Sequence, residues 1–171
     1  MKREHFIYDI KNNKIIIRKY IGREKNIIIP AYIDNKPVKE IKSEAFMNNK
    51  FVRTIILPET IKKIGKKSFY NCKNLISINF PLNLEFIGES AFENCLSLKE
   101  IYLPLHLKKL TKKSFKNCTA LIHISVSENL ESISYQVFKN CYNLKEVYLP
   151  ISLILKKNSF EGCNLIEKTY Y

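Results

Sequence analysis

Tryptophan is absent from this 171-residue chain, and glycine occurs only four times. Gly22, Gly65, Gly88 and Gly162 stand singly, so no glycine-rich loop is present to cradle a phosphate. No apolar run approaches the roughly eighteen residues of a membrane-spanning helix. The segment Met1 to Asn13 carries Lys2, Arg3, Glu4, Asp9 and Lys11 and lacks the apolar stretch of a secretory leader. That predicts a cytoplasmic protein if the chain is complete, and a surface-exposed one if it is a fragment of a larger secreted protein. Histidine is scarce too. His5, His106 and His123 form no H-E-x-x-H pattern, and no nucleophile–base–orienting trio stands out. The expectation is a protein without catalytic residues, cofactor or metal.

Acidic residues are outnumbered, 16 against 29 lysines and arginines, for a net charge of +13. The excess is not a tail. Residues 1–51 hold 12 basic and 6 acidic residues, and residues 52–171 hold 17 and 10. A body-wide positive charge favours acidic partners without defining a site. Nucleic acid is disfavoured as a partner, since no helix-turn-helix or RNA-recognition signature accompanies the charge.

What the chain has is a beat. Phenylalanine returns every 23 residues at Phe46, Phe69, Phe92, Phe115 and Phe138, then one residue early at Phe160. Cysteine follows three residues later at Cys72, Cys95, Cys118, Cys141 and Cys163. Proline keeps the same time at Pro58, Pro81, Pro104 and Pro150, with Ser127 in the remaining slot. A fixed period in the twenties marks stacked repeats. Each unit opens with period-two alternation, as in Ile101 and Leu103, which means a short strand. Proline, lacking an N–H, closes it. A second apolar pair follows at three-residue spacing, as in Leu107 and Leu110. Asparagine at 48, 71, 94, 117 and 140 marks a turn in which its side chain can satisfy loop backbone groups, with Gly162 in the last unit. Five cysteines in identical slots with no C-x-x-C pair read as buried structural thiols.

The L-x-x-I-x-L-P strand and the (S/A)-F-x-N-C turn, recurring across 52–163, resemble the BspA-type leucine-rich-repeat family. Phe6–Ile10, Lys14–Tyr20 and Ile27-Ile28-Ile29-Pro30 fit the strand pair and degenerate first unit with which such domains open. The resemblance implies an α/β repeat solenoid with a parallel β-sheet face and an N-terminal β-hairpin cap. Residues 1–51 would form the cap and degenerate first repeat, and 52–171 five 23-residue repeats, in one continuous domain. It also implies a non-catalytic protein, with surface proteins that bind host or matrix proteins among its relatives.

A second period of 46 lies inside the first. Lys99-Glu100-Ile101-Tyr102-Leu103-Pro104 returns as Lys145-Glu146-Val147-Tyr148-Leu149-Pro150. Between them stand small, polar units such as Ile122-His123-Ile124-Ser125. Lysine pairs alternate likewise: Lys62-Lys63, Lys66-Lys67, Lys108-Lys109 and Lys112-Lys113 in odd units, Glu85, Glu89 and Glu131 in even ones. Such alternation predicts ion pairs between neighbouring rungs and weighs against a basic stripe for an anionic polymer.

The outward strand positions are the candidate protein-binding residues: Arg53, Thr54, Ile56, Ser77, Asn79, Lys99, Glu100, Tyr102, His123, Ser125, Lys145, Glu146 and Tyr148. Stacked tyrosines with Lys and Glu beside them suit protein recognition. The alternatives are an adhesin-type fragment and an electrostatic binder of nucleic acid or another acidic surface. The segment from Asn164, ending in Tyr170 and Tyr171, reads as a weak cap, so self-association through the C-terminal edge is a further expectation.

Overall fold

The computed structural model describes residues 5–164 and 167–170. It opens on a hairpin of β1 (Phe6–Lys11) and β2 (Lys14–Tyr20), antiparallel, with a register shift between Ile7 and Tyr8. The turn residues Asn12 and Asn13 lie at φ 50° and 56°. Two left-handed residues match the twist of the flanking strands, and asparagine tolerates that conformation. After β3 (Asn26–Ile28), a second hairpin joins β4 (Tyr32–Ile33) to β5 (Lys36–Ile41) through Asp34 and Asn35, at φ 49° and 59°.

The chain then winds through β6 (Thr54–Ile56), β7 (Lys63–Ile64), β8 (Ser77–Ile78), β9 (Phe86–Ile87), β10 (Glu100–Tyr102), β11 (Lys109–Leu110), β12 (His123–Ser125), β13 (Ser132–Ile133), β14 (Glu146–Leu149), β15 (Ile154–Leu155) and β16 (Glu167–Tyr170). Each coil contributes one strand to each of two parallel columns. The first column is β3-β6-β8 followed by β10-β12-β14-β16. The second is β5-β7-β9 followed by β11-β13-β15, with β2 and β1 extending its N-terminal end. The hairpin cap therefore covers the second column. The last unit's missing residue is absorbed between the columns, since Ile154 aligns with Ser132.

The third side of each coil is a turn carried by the F-x-N-C motif. Backbone bonds still join coils there, such as Phe92 N–H to the Ser114 carbonyl at 2.7 Å. The phenylalanines stack face to face inside, Phe69, Phe92 and Phe115 with centroids 5.1 and 5.2 Å apart. Tyr20 starts this ladder, 5.1 Å from Phe46. Its hydroxyl donates to the Glu24 carboxylate, and burial together with that carboxylate holds the phenol above its ordinary value. The five thiols are buried and none is in a disulfide. Each donates to a phenylalanine carbonyl one coil back, as Cys95 does to Phe69 at 3.2 Å.

The expected α/β class does not hold. No α-helix occurs among the described residues, and the fold is a β-solenoid of about seven turns. The reason is backbone geometry. Each turn side carries two left-handed residues around its phenylalanine, such as Lys67 (φ 52°) and Asn71 (φ 60°) around Phe69. A right-handed helix cannot pass through such residues. The asparagine side chains also do something other than the expected loop capping: Asn71 donates to Asn48, Asn117 to Asn94 and Asn140 to Asn117.

Both columns lose ladder pairing at one level, between β8 and β10 and between β9 and β11. Phe80 stands there in the slot that Leu57 and Leu103 fill in neighbouring coils. Its ring meets Phe92 and Phe115 edge-on, at 5.5 and 6.2 Å. C-terminally, β16 pairs parallel with β14 and adds a final rung to the first column. Ile151, just after β14, and Ile154, on β15, remain exposed in the last coil. Leu165, Ile166 and Tyr171 of the expected weak cap lie outside the described residues, as does the chain start at 1–4.

Candidate functional site

Strand alternation places Ile55, Ile78, Ile101, Ile124 and Val147 inward and their neighbours outward. Eight of the sequence-predicted residues come together on β10, β12 and β14 and just before them. Tyr102, Ser125 and Tyr148 share one register row. The two tyrosines are 59% and 44% exposed, and the small Ser125 between them leaves a gap one strand wide. A second row holds Glu100, His123 and Glu146. The Tyr102 hydroxyl donates to Glu100 at 3.1 Å, and that carboxylate holds the phenol above its ordinary value. The His123 ring lies 5.6 Å from that of Tyr102.

A third row is tied by backbone bonds. Ile76 N–H donates to Arg53, Lys99 to Ile76, Ile122 to Lys99 and Lys145 to Ile122. Cations at 53, 99 and 145 thus alternate with isoleucines, of which Ile122 is exposed. Arg53, Thr54, Ile56, Ser77 and Asn79 lie on the other sheet segment, beyond the interruption at β8. Two of them have local partners. Thr54 donates to Asn26 at 2.8 Å. Asn79 accepts from the Leu57 N–H at 2.6 Å and donates to the Leu57 carbonyl at 2.9 Å, replacing the ladder pair that β8 is too short to make.

Two exposed features were not singled out from sequence. Ile28 faces outward in register with Ile56, which the alternation of Ile27-Ile28-Ile29 indicates. Leu82, Leu105 and Ile151 line the corner beside this face, each directly after a proline, a signal readable from the repeat itself.

On the second column the expected charge alternation is present. Lys62 meets Glu85 at 2.5 Å, Lys66 meets Glu89 at 3.2 Å and Lys108 meets Glu131 at 3.8 Å. Lys62 holds the Glu85 carboxyl below its ordinary value. On the turn side Lys116 pairs with Glu93 and Lys139 with Glu161, pairs the sequence reading did not name. Among the described residues no group of three or more His, Cys, Asp or Glu is placed to hold a metal, and no helix is long and apolar enough to cross a membrane. The surface offers rows of aromatic and charged groups on the first column.

The family model of the BspA-type leucine-rich-repeat region matches residues 39–167 in six copies. The chain belongs to this family. A leucine-rich-repeat protein of T. pallidum superposes on this BspA-type chain with a TM-score of 0.92 and 26% identity, over 99% of this chain and 81% of that one. The pneumococcal vaccine antigen PcpA gives 0.80 and 25%, over 100% of this chain and 49% of its own. A leucine-rich cell surface protein of Faecalibacterium prausnitzii, 21% identical with a TM-score of 0.73, shares the fold over 99% of this chain and 54% of its own. A search of curated protein sequences finds no match.

Proposed function

We propose that this BspA-type solenoid is a non-catalytic protein-binding module that engages its partner through the first strand column. The carrying observation is the exposed pair Tyr102 and Tyr148, two rungs apart with Ser125 between them. Aromatic side chains held on a ladder supply contact area at low entropic cost, and charged neighbours select the partner. Lys99, Glu100, Lys145 and Glu146 supply that charge around each ring, and Arg53 and Ile56 extend the face toward the N-terminus.

The test begins with affinity capture from native lysate and identification of the bound protein. The double variant Tyr102→Ala with Tyr148→Ala should keep its melting temperature and lose the capture. Retained capture by a folded double variant removes the strand column from the interface.

The adhesin-type reading is favoured by two comparisons, one with a vaccine antigen and one with a cell surface protein. It forecasts that protease applied to intact cells digests the native protein. The exposed Ile151 and Ile154 of the last coil support self-association at that end, and Ile151→Lys should then abolish any concentration-dependent dimer in sedimentation.

A further inference from the structure

The alternation of lysine and glutamate fails at one place. The slot three residues before the phenylalanine holds Lys66, Glu89, Lys112, Tyr135 and Lys157 in successive coils. Glu89 pairs with Lys66. The equivalent even unit carries Tyr135 where its predecessor carries Glu89, so Lys112 and Lys157 flank an aromatic ring in place of a carboxylate. These residues, with Lys113, Gln136 and Asn158, line an open groove crossing three coils. None of the three lysines forms an ion pair with a described residue. Lys113, Gln136 and Asn158 are held at φ 58°, 57° and 62°, and Lys113 N–H is bonded to the Tyr135 carbonyl at 3.1 Å, so the floor is fixed by backbone geometry.

We infer that this groove binds an acidic oligosaccharide, one bearing sulfate or uronate groups. Parallel coils are about 4.8 Å apart, which puts the backbones of Lys112 and Lys157 about 10 Å apart with Tyr135 midway. A sugar ring has an apolar C–H face that lies on a tyrosine ring. Anionic substituents on its two sides then reach the ammonium groups. The amides of Gln136 and Asn158 each offer a donor and an acceptor for hydroxyls. An acidic peptide brings carboxylates but no flat apolar ring to cover Tyr135. A single-stranded nucleic acid needs successive stacking platforms along a basic track. Here the groove lining holds one ring, Tyr135.

The probe is a heparin-derived octasaccharide, titrated calorimetrically at about 0.15 M salt, where exposed charges are screened beyond about 8 Å. Saturable binding to one site is expected. Tyr135→Glu restores the pattern of Lys66 and Glu89, and should weaken binding about tenfold or more, the scale of one lost charge-assisted contact. Tyr135→Ser, the residue Ser43 supplies in the same slot of an earlier coil, keeps the lysines and removes the ring. It should weaken binding several-fold, and it carries the test where Tyr135→Glu disturbs the fold. Tyr102→Ala with Tyr148→Ala, which should lose protein capture, should leave the octasaccharide affinity as it is, which separates this site from the strand-column interface. Four results overturn the inference: no binding, unchanged affinity in both Tyr135 variants, equal affinity for a poly-glutamate peptide, or equal affinity for a single-stranded oligonucleotide.

Discussion

The side-chain amide of Asn117 donates to the side-chain oxygen of Asn94 at 2.7 Å, and the Asn140 amide donates in turn to Asn117 at 2.9 Å. Asn117 is also left-handed, at φ 59°. It therefore has two duties, one of conformation and one of bonding. Gly162 meets only the first, at φ 80°, with the Asn140 side-chain oxygen 2.8 Å from where a Cβ would stand. Asn117→Gly should cost about 1 kcal/mol for the lost bonds and added chain entropy. Asn117→Ala should cost about 2–3 kcal/mol, because left-handed strain is added. Urea denaturation of both variants gives the comparison; equal losses would mean the conformation is not the controlling factor.

That ladder shows where the sequence was readable and where it was not. The turn at each asparagine was legible, because asparagine is one of the few residues at ease there. The bond from one asparagine to the next was not, because it joins residues 23 apart and exists only once the coils stack. The same division applies to the rest. Phe92 and Cys95 were placed inside by periodicity alone. Tyr20 was not recognised as the first ring, being 26 residues before Phe46 and of another type. From β7 on, the second-column strands are only two residues long, and the spacing of Leu107 and Leu110 fits a helical turn as well as it fits β11. Only the left-handed residues at both ends of each turn decide against a helix. For the candidate face, alternation named the outward residues. It could not show that Asn79 is engaged with Leu57, or that the column breaks beside Phe80.

Gly65 and Gly88 stand one period apart and mark a close approach. A Cβ on Gly88 would lie 2.5 Å from the backbone nitrogen of Lys66. Backbone cannot swing aside as a flexible side chain can. Gly88→Ala should therefore cost about 1–3 kcal/mol, in the range of overpacking. Ser134→Ala, in the same slot two coils later, should stay within about 0.5 kcal/mol. Thermal melts of the two variants side by side test whether the constraint is local to the earlier coils.

Lys66 and Glu89 are neighbours on successive rungs at 3.2 Å, both well exposed. Glu89→Lys would put lysines on three successive rungs with Lys66 and Lys112. An exposed pair is worth about 0.2–1 kcal/mol, and like charges cost a similar amount. The loss should be about 1 kcal/mol at low ionic strength and shrink toward zero near 1 M salt. Adding Lys66→Glu should recover part of it. A loss independent of salt would show that Glu89 acts through packing and not charge.

The thiol column makes stability fall in alkali. Burial pushes Cys72 up to about 12 and raises Cys95, Cys118 and Cys141 as well. An unfolded thiol titrates near 8.5. Below that value both states are protonated and the stabilising difference is fully present. As pH rises above it, the unfolded chain releases thiol protons that the folded chain retains, so the unfolded state is favoured. Each such thiol removes up to about 1.4 kcal/mol per pH unit until its folded form also ionises, near pH 12 for Cys72. Urea midpoints between pH 8 and pH 11 should therefore fall steeply, and less steeply in Cys95→Ala, which has one titrating thiol fewer. The wild-type thiols should resist a thiol-reactive dye at pH 8 and react together on unfolding. Rapid labelling of the folded protein, or an identical pH slope in Cys95→Ala, would count against burial as the source of the alkaline loss.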